Sequence, residues 1–170
     1  MILKIARQLG RKLKANHSML VTAESCTGGW VAQAVTSIAG SSDWFERGYV
    51  TYSNAAKRED LGVARATLER YGAVSEQTAR AMALGAILRA RGAIHRARGA
   101  LARSRGTIAL AITGIAGPGG GGPGKPVGTV CFAWARGRKM RSETRRFRGG
   151  RASVRRQSVA YSLRGVLKWL

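Results

Sequence analysis

The chain has 170 residues, of which 45% are apolar, and this is enough to form one domain with a buried core. Thirty lysines and arginines against eight acidic residues give a formal net charge of +22, which would attract polyanions such as nucleic acids. The sequence contains no apolar run of about 18 residues, only two distant cysteines and only two histidines, so we expect a cytoplasmic protein without a membrane span, disulfide or metal site.

The first half of the sequence predicts helices that alternate with short strands. Apolar residues at helical spacing over 2–13 predict a first helix, and the β-favouring run 19–23 predicts a strand. Residues 27–29 (TGG) are predicted to open a second helix that ends around Gly40. The pattern then predicts a strand over 48–52, a short helix over 54–61, another turn or two over 66–71, and a long alanine-rich helix capped by Ser75.

The second half of the sequence is richer in strands. Nearly continuous apolar residues over 107–112 predict a central buried strand, and the sequence TGIAGPGGGGPGKP that follows predicts a loop. Residues 127–135 and 139–147 predict an antiparallel pair of strands, and 152–170 predicts a closing amphipathic helix. Because strands and helices interleave, we expect a three-layer α/β/α domain with a mixed sheet that spans residues 1–170.

Three near-copies of a seven-residue sequence interrupt this pattern: LRARGAI, HRARGAL and ARSRGTI. Two heptads are close to four helical turns, so a helix could absorb the extra length and keep its buried face. Gly92 and Gly99 oppose this, because each costs roughly 1 kcal/mol relative to alanine inside a helix. We therefore expect an arginine-rich insertion of two heptads over about 87–100, either as a lengthened, frayed helix or as a mobile bulge.

A candidate nucleophile follows the first predicted strand. Ser25 lies in the sequence AESCTGG, where a strand is expected to lead into a helix and backbone N–H groups lack helical partners. The amides of residues 27–29 could stabilise an oxyanion there, helped by the helix dipole. From the residues alone, the alternative that Ser25 is only a helix cap stays open, and Cys26 is either a small buried hydrophobic residue or a reactive thiol.

A serine nucleophile needs a base, and neither histidine is well placed: His17 precedes the first strand and His95 lies in the repeat. Lys57 is the other option, because it follows Tyr52 by about one helical turn, so that both could face one pocket. A lysine acts as a base near neutral pH only if desolvation or nearby positive charge depresses its pKa. The apolar neighbours and many arginines would favour such a shift, while a solvated surface lysine is the alternative that the residues leave open.

The glycine-rich stretch 119–125 has the spacing of a phosphate-binding P-loop, G-x-x-x-x-G-K. Pro126 occupies the position of the magnesium-binding serine or threonine, and the stretch leads into a predicted strand rather than into a helix. These two features argue against a nucleoside triphosphatase. A flexible loop and a loop that covers a ligand with its backbone amides are the two interpretations left.

Several of these segments resemble, in order, the signatures of the CinA C-terminal family, over nearly the whole chain. The segments are TAESCTGGWVAQAVTSIAGSSDWFERGYVTYSNAAKRE, YGAVSEQTARAMALGA, ITGIAGPGGG, KPVGTV and VRRQSVAYSL. The family contains stand-alone nicotinamide mononucleotide deamidases, which hydrolyse the carboxamide of the nucleotide to nicotinic acid mononucleotide and ammonia. The resemblance therefore implies an amidohydrolase of pyridine nucleotide recycling that uses a serine–lysine acyl-enzyme mechanism and no cofactor.

The resemblance also implies roles for single residues. Ser25 would be the nucleophile, Lys57 its base and Tyr52 a further catalytic residue. The implied substrate-binding residues are Thr27, Gly28, Gly29, Asn54, Thr113, Gly114 and Arg151. The chain departs from the family pattern in its two extra heptads and at Gly150, where the family usually has an aspartate in the sequence G-D-R. If that carboxylate orients the arginine, its loss would weaken substrate binding.

Two other classes of function stay open at this stage. The basic stretches 89–105 and 136–156 could grip nucleic-acid phosphates, or the chain could be a non-catalytic regulatory remnant of the longer competence- and damage-associated CinA proteins. The intact set of Ser25, Tyr52 and Lys57 argues against decay of the site. We expect a small nucleotide as the substrate, leave a homodimer and a nucleic-acid partner open, and expect no membrane partner.

Overall fold

Five strands and six α-helices make up the part of the chain that the structure describes. This computed structural model describes residues 1–96 and 106–170. The strands are β1 (Ser18–Glu24), β2 (Phe45–Val50), β3 (Gly106–Gly114), β4 (Thr129–Arg136) and β5 (Lys139–Arg146). The helices are α1 (Ile2–Ala15), α2 (Trp30–Thr36), α3 (Asn54–Leu61), α4 (Arg65–Tyr71), α5 (Glu76–Arg96) and α6 (Arg151–Leu167), and a short 3-10 turn covers Ser41–Asp43.

The strands form one mixed sheet in the order β2-β1-β3-β4-β5. β1 is parallel to β2 and to β3, while β4 pairs antiparallel with β3 and with β5. The parallel strands β1, β2 and β3 therefore end together, at what we call the carboxyl end of the sheet. The β4–β5 hairpin turns at the opposite, amino end, where Arg136 pairs with Ile108 near the start of β3.

Alternating side chains of the central strand build a core on each face of the sheet. Ile108, Leu110 and Ile112 pack in one cluster with apolar residues of α1, α2 and α6. Ala109 and Ala111 face the other way, into a cluster with residues of α3, α4 and α5. The small side chains on this second face let α5 pack close to the strands. The two clusters confirm the predicted three-layer α/β/α fold with a mixed sheet.

Several predicted elements have slightly different bounds in the structure, and two of these shifts have a local cause. α2 ends at Thr36 rather than near Gly40, because residues 36–38 (TSI) are poor helix formers. β2 covers residues 45–50 rather than 48–52. As an edge strand that pairs only with β1, it accepts polar residues that the sequence pattern did not assign to a strand.

The long helix α5 begins at the predicted cap and brings α3 close to the sheet. Ser75 Oγ accepts a hydrogen bond from the backbone N–H of Thr78 at 3.1 Å, which confirms the predicted cap. Further along α5, Gly85 lies against the carbonyl group of Leu61, the last residue of α3, and a Cβ atom at Gly85 would overlap that oxygen. Glycine is therefore what permits this close approach of the two helices.

Part of the predicted arginine-rich insertion lies outside the described residues. α5 continues as a helix to Arg96, and the described chain resumes at Gly106, where β3 begins. The predictions of a frayed helix or a mobile bulge beyond Arg96, including the end of the 87–100 insertion, concern residues outside the described part of the chain.

Within residues 1–96 and 106–170, no helix combines the length and the apolar character that crossing a bilayer requires. No three His, Cys, Asp or Glu side chains in these same ranges lie close enough together to hold a metal ion. Both cysteines of the sequence, Cys26 and Cys131, are buried and carry free thiols.

Candidate active site

The sheet register places the candidate nucleophile and base at the carboxyl end of the sheet. Ser25 directly follows β1, and Lys57 lies in α3, which begins shortly after β2. The backbone N–H of Ser25 donates to the carbonyl of Ile112 in β3 at 3.0 Å. The N–H of Thr51 donates to the carbonyl of Glu24 at 2.9 Å. The second bond holds the segments that carry the serine and the lysine next to each other, and the first fixes Ser25 beside the end of β3.

Lys57 and Ser25 meet in the interior of the protein. Lys57 is only 1% exposed, and its Nζ lies 3.1 Å from Ser25 Oγ. The same Nζ lies 2.8 Å from the carbonyl oxygen of Thr51 and 3.4 and 3.5 Å from those of Tyr52 and Ser53. The alternative that Lys57 is a solvated surface lysine is therefore wrong.

The surroundings of Lys57 suit a neutral amine. Burial lowers the pKa of its ammonium group from the ordinary value of 10.5, because removal from water disfavours the charged form. A neutral amine has two N–H bonds and one lone pair. With the two N–H bonds directed to the carbonyls of Thr51 and Tyr52, the lone pair is left to accept the hydroxyl proton of Ser25. In this arrangement a neutral amine could accept that proton.

The lowered pKa of Lys57 predicts how stability responds to pH. Between that lowered pKa and 10.5, the unfolded chain binds a proton at Lys57 that the folded protein does not, so the free energy of unfolding rises with pH in this window. Lys57→Met removes the group, and we expect the wild type to gain stability relative to this variant as the pH approaches 10.5. Urea unfolding of both proteins across the alkaline range measures the effect, and two parallel stability curves would contradict it.

Cys26, the neighbour of Ser25, is a poor nucleophile in this setting. Its side chain is buried, and burial raises the pKa of the thiol to about 12. The thiol therefore stays protonated at neutral pH, and the thiolate is the reactive form of cysteine. This contradicts the alternative that Cys26 is a reactive thiol and agrees with the alternative that it is a small buried hydrophobic residue.

A buried carboxylate organises the turn that carries Ser25. Glu24 is 1% exposed and accepts three hydrogen bonds: from Thr27 Oγ1 at 2.7 Å, from the N–H of Val31 at 2.9 Å and from the N–H of Ala32 at 2.8 Å. The carboxylate therefore satisfies amides in the first turn of α2 that have no partner within the helix. It also fixes the direction in which the chain leaves Ser25.

An arginine of α6 holds the other side of the same turn. Arg155 Nε donates to the carbonyl of Cys26 at 3.1 Å, and Nη2 donates to that of Thr27 at 2.8 Å. The guanidinium group also stacks on Trp30, 5.4 Å from the ring centroid. Because the C=O and N–H of a trans peptide point in opposite directions, the bond to the Cys26 carbonyl directs the N–H of Thr27 away from Arg155.

A cavity of about 210 Å³ opens beside the Ser25–Lys57 pair. Its lining residues are Ser25, Cys26, Tyr52, Lys57, Ala73, Val74, Thr113, Gly114, Ala116 and Arg151. None of them is acidic, so no carboxylate in the lining favours the charged form of Lys57. Thr113 Oγ1 donates to the carbonyl of Ala73 at 2.8 Å and so ties the end of β3 to the segment before α5.

Arg151 and Tyr52 lie at the mouth of this cavity. Arg151 Nη2 donates to the Tyr52 hydroxyl at 2.9 Å, and Nη1 donates to the carbonyl of Gly117 at 2.8 Å. Tyr52 is 61% exposed, so its ring borders solvent. Two groups thus hold Arg151 although Gly150 provides no carboxylate, while the effect of this departure on substrate binding stays a prediction.

The predicted substrate-binding residues 27–29 do not line the cavity. Thr27 is fully buried, and its hydroxyl donates to Glu24. The N–H of Gly28 donates to the carbonyl of Ser25 at 3.0 Å, which closes the turn, and Gly29 is the residue just before α2. Any role of this turn toward a substrate therefore falls to backbone groups other than the Gly28 amide.

Asn54 does not line the cavity either, and its role in substrate binding stays a prediction. It is the exposed first residue of α3, whereas Lys57 and Leu61 form the buried face of that helix. By its spacing of three residues Asn54 lies on the same side of the helix as Lys57, but it belongs to the first turn, where its side chain is exposed to solvent.

The glycine-rich loop borders the site without forming a P-loop. The loop leads into β4 at Thr129, so no helix N-terminus is present to receive a phosphate. Its first part contributes Ala116 to the cavity and the carbonyl of Gly117 to Arg151. Lys125, in its last part, donates Nζ to the carbonyl of Tyr71 at 2.8 Å. The interpretation that the loop covers a ligand stays a prediction.

Glu24 and Arg155 were not among the predicted site residues, although both lie inside the segments that carry the family resemblance. A signal for Arg155 was present, because it follows Arg151 by four residues and so lies on the same face of α6. A signal for Glu24 was its position as the one acidic residue of a strand that is otherwise apolar or hydroxylic, next to the nucleophile.

These features define a class of protein: an α/β/α domain in which a buried serine–lysine pair lies beside a small cavity at the carboxyl end of a mixed sheet. The sequence model of the family described as "CinA C-terminal domain" matches residues 2–94 and 88–170. The chain belongs to this family, which confirms the resemblance stated from its sequence.

Relatives of similar length carry the name of an enzyme. The chain is 49% identical over 164 residues to nicotinamide-nucleotide amidohydrolase PncC of Escherichia coli (strain K12), with 95% of this chain and 90% of that protein covered. It is 46% identical to the protein of the same name from Pseudomonas putida, with 98% and 96% covered.

Solved structures share the fold. Competence/damage inducible protein CihA from Agrobacterium tumefaciens superposes with a TM-score of 0.84 at 43% identity, with 98% of this chain and 94% of that chain covered. A CinA superfamily protein from Escherichia coli superposes with a TM-score of 0.86 at 36% identity, with 100% and 91% covered. Both similarities confirm the predicted fold class.

Proposed function

We propose that this chain is an amidohydrolase that converts nicotinamide mononucleotide to nicotinic acid mononucleotide and ammonia through a serine–lysine acyl-enzyme. The observation that supports it most is the 3.1 Å separation between Lys57 Nζ and Ser25 Oγ in a buried site where the pKa of the lysine is lowered. The name nicotinamide-nucleotide amidohydrolase, carried by relatives that match 95% or more of this chain, supports the substrate class.

In the acylation step, neutral Lys57 accepts the hydroxyl proton of Ser25 while Oγ forms a bond to the carboxamide carbon. The electron pair of the C=O double bond moves to oxygen and gives a tetrahedral oxyanion. When this intermediate collapses, the C–N bond breaks and the Lys57 ammonium gives its proton to the leaving nitrogen. Ammonia departs, Lys57 is neutral again, and the acyl group stays on Ser25.

In the deacylation step, Lys57 accepts a proton from a water molecule whose oxygen attacks the acyl carbon. Collapse of the second tetrahedral intermediate breaks the bond to Ser25 Oγ, which regains its proton from Lys57, and the acid is released. We assign to Tyr52 and Thr113, which line the cavity, the positioning of the reacting groups. Arg151 is available at the mouth for the phosphate or carbonyl oxygen of the substrate.

The size of the cavity suggests how a nucleotide would bind. About 210 Å³ is less than the roughly 300–1,000 Å³ of pockets that enclose whole drug-sized ligands, so we assign the pyridine carboxamide to the cavity and the ribose phosphate to its mouth. A wider groove of about 550 Å³ shares Val74 with the cavity and is lined by Arg70 and Lys125, among others. These cations, with Arg151, are candidates to face the phosphate.

The oxyanion needs a hydrogen-bond donor, and we assign this role to the N–H of Thr27. Of the three amides first considered for it, that of Gly28 already donates to the carbonyl of Ser25. The Thr27 amide is one peptide from the cavity-lining Cys26, and Arg155 fixes the direction of its peptide group through the Cys26 carbonyl. Arg155 is therefore a positioning residue in this proposal, since it acts on the reaction through the backbone.

Arg155→Lys should lower kcat roughly ten- to a hundredfold with little change in KM. A lysine has no planar fork and cannot hold both carbonyls in the same geometry, so the Thr27 amide loses its orientation when the oxyanion develops. Steady-state ammonia release measures both constants. Arg156→Lys, one residue further and exposed, is the matched control. An equal effect of the two substitutions, or a change in KM alone, would remove Arg155 from this role.

The test of the proposed function is ammonia release from nicotinamide mononucleotide, nicotinamide and glutamine as separate substrates. We expect turnover of the mononucleotide, and loss of it by at least about a thousandfold in Ser25→Ala, because the nucleophile is gone. Ser42→Ala, an exposed serine outside the site, is the control. Absence of turnover with all three substrates, or full activity of Ser25→Ala, would refute the proposal.

We also propose that the protein acts in the cytoplasm. The free thiols of Cys26 and Cys131 suit a reducing compartment, where disulfides are rare. A homodimer, left open by the sequence, stays a prediction that the mass of the protein in solution would test.

A further inference from the structure

The positive charge of the second half of the chain has almost no acidic counterpart. Glu143 is the single acidic residue between positions 77 and 170, and α1 and α6 contain none. Around the β4–β5 turn, Arg136, Arg138, Lys139 and Trp169 line a groove of about 530 Å³ in which no side chain is acidic. We call these four residues the basic end.

The basic end lies far from the catalytic cavity. Arg136 pairs with Ile108 near the start of β3, whereas the cavity begins at Thr113, five residues further along the same strand. At roughly 3.3 Å per residue, the two sites are about 17 Å apart along β3. The last turn of α1, with exposed Lys12, lies at the same amino end of the sheet, since β1 begins shortly after α1. A ligand at the basic end would leave the cavity open.

The groove combines cations with an aromatic ring. Arg136 Nη1 donates to the backbone carbonyl of Trp169 at 2.8 Å, and both residues line the groove. The indole of Trp169 packs in part against the core and is half-buried. Arg138 and Lys139 are exposed and follow directly in the turn. Guanidinium and ammonium groups bind phosphate oxygens, and an accessible aromatic face can stack on a base.

We propose that the basic end binds the phosphate backbone of a nucleic acid. None of the described residues that line its groove has an acidic side chain, so a phosphodiester chain that enters would release its counterions without an aspartate or glutamate of the lining opposing it. The inference goes beyond the proposed amidase function and uses none of its residues. It also gives a defined location to the nucleic-acid partner that composition alone had left open.

The test is fluorescence anisotropy with a labelled 20-nucleotide single-stranded DNA and its duplex, over a series of salt concentrations. Arg138→Gln/Lys139→Gln is compared with Arg58→Gln/Arg80→Gln, which removes the same charge from exposed positions of α3 and α5. The first pair should reduce the slope of log K against log salt by about two and weaken binding roughly ten- to a hundredfold at about 0.1 M salt. The second pair should leave both close to wild type.

Ammonia release is measured on the same proteins. Unchanged turnover in Arg138→Gln/Lys139→Gln, together with weakened DNA binding, supports a separate site. Absence of DNA binding by the wild type, or equal weakening by both pairs of substitutions, would overturn the proposal, because the charge would then act without a defined surface. If heparin at equal charge concentration displaces the DNA, the basic end binds polyanions in general. That result would overturn the assignment to nucleic acid.

Discussion

Lys57→Met should reduce kcat for amide hydrolysis by about a hundred- to ten-thousandfold while the protein stays folded. Lys57 Nζ lies 3.1 Å from Ser25 Oγ and is the group that we propose as the base. A general base contributes roughly a hundred- to ten-thousandfold to the rate. Methionine has a similar length and no charge to bury, so the packing around it is largely kept. Ammonia release at saturating nicotinamide mononucleotide measures kcat, and thermal unfolding measured in parallel shows whether the variant stays folded.

The pH dependence of the reaction separates a base from a structural lysine. In the wild type, kcat/KM should rise with pH as Lys57 loses its proton and level off at a pH below 10.5, because its pKa is lowered in the folded protein. The residual activity of Lys57→Met should lack this rising limb. Lys168→Met, a substitution of an exposed lysine, should keep it. Turnover of Lys57→Met within tenfold of wild type would leave the proposed chemistry without its base.

Glu24→Gln should cost about 3 kcal/mol of stability, the largest loss we expect from a change this small in volume. The carboxylate accepts three hydrogen bonds from Thr27, Val31 and Ala32 in the interior. An amide replaces one acceptor oxygen by an NH₂ group that faces another donor, and bonds to a charged acceptor are worth roughly 1.5–3 kcal/mol each. Urea unfolding measures the loss of stability, and thermal unfolding should show a fall in Tm of roughly 10 °C.

The matched control for this prediction is Glu69→Gln. Glu69 is exposed and pairs with Arg65 within one helix, so its neutralisation should change stability little. Glu24→Gln should also lower kcat, because the turn that carries Ser25 loses its anchor on α2. A Glu24→Gln protein as stable as Glu69→Gln would mean that the carboxylate does not hold this turn.

Much of the fold could be predicted because each element has a strong local pattern. The strand over 107–112, the helix over 54–61 and the Ser75 cap depend on apolar periodicity and on hydroxyl chemistry within a few residues. The meeting of Ser25 and Lys57 could also be anticipated, because both follow strands that turn out to be parallel neighbours. Parallel strands end on the same side of a sheet, so the residues after them converge.

The remainder of the site depends on contacts that no local pattern encodes. Arg155 reaches the turn after β1 only because α6 docks beside α2, 128 residues away from Thr27 along the chain. Thr27 was predicted to bind substrate, but its hydroxyl donates a hydrogen bond to Glu24. This bond forms because the Glu24 carboxylate points into the protein, a direction that the local sequence does not indicate. Asn54 was assigned to the site by resemblance alone, while the buried face of its helix is set by packing on α5.

We expect the missing side chain at Gly85 to influence the basicity of the Lys57 amine. α3 can sink toward the sheet only because the backbone of Leu61 rests directly on α5 at that point. A methyl group there would lift α3, let water reach Nζ of Lys57 and return the acidity of its ammonium toward that of a free lysine. The protonation of Lys57 would in this way depend on a close contact between two helix backbones at Leu61, the end of α3.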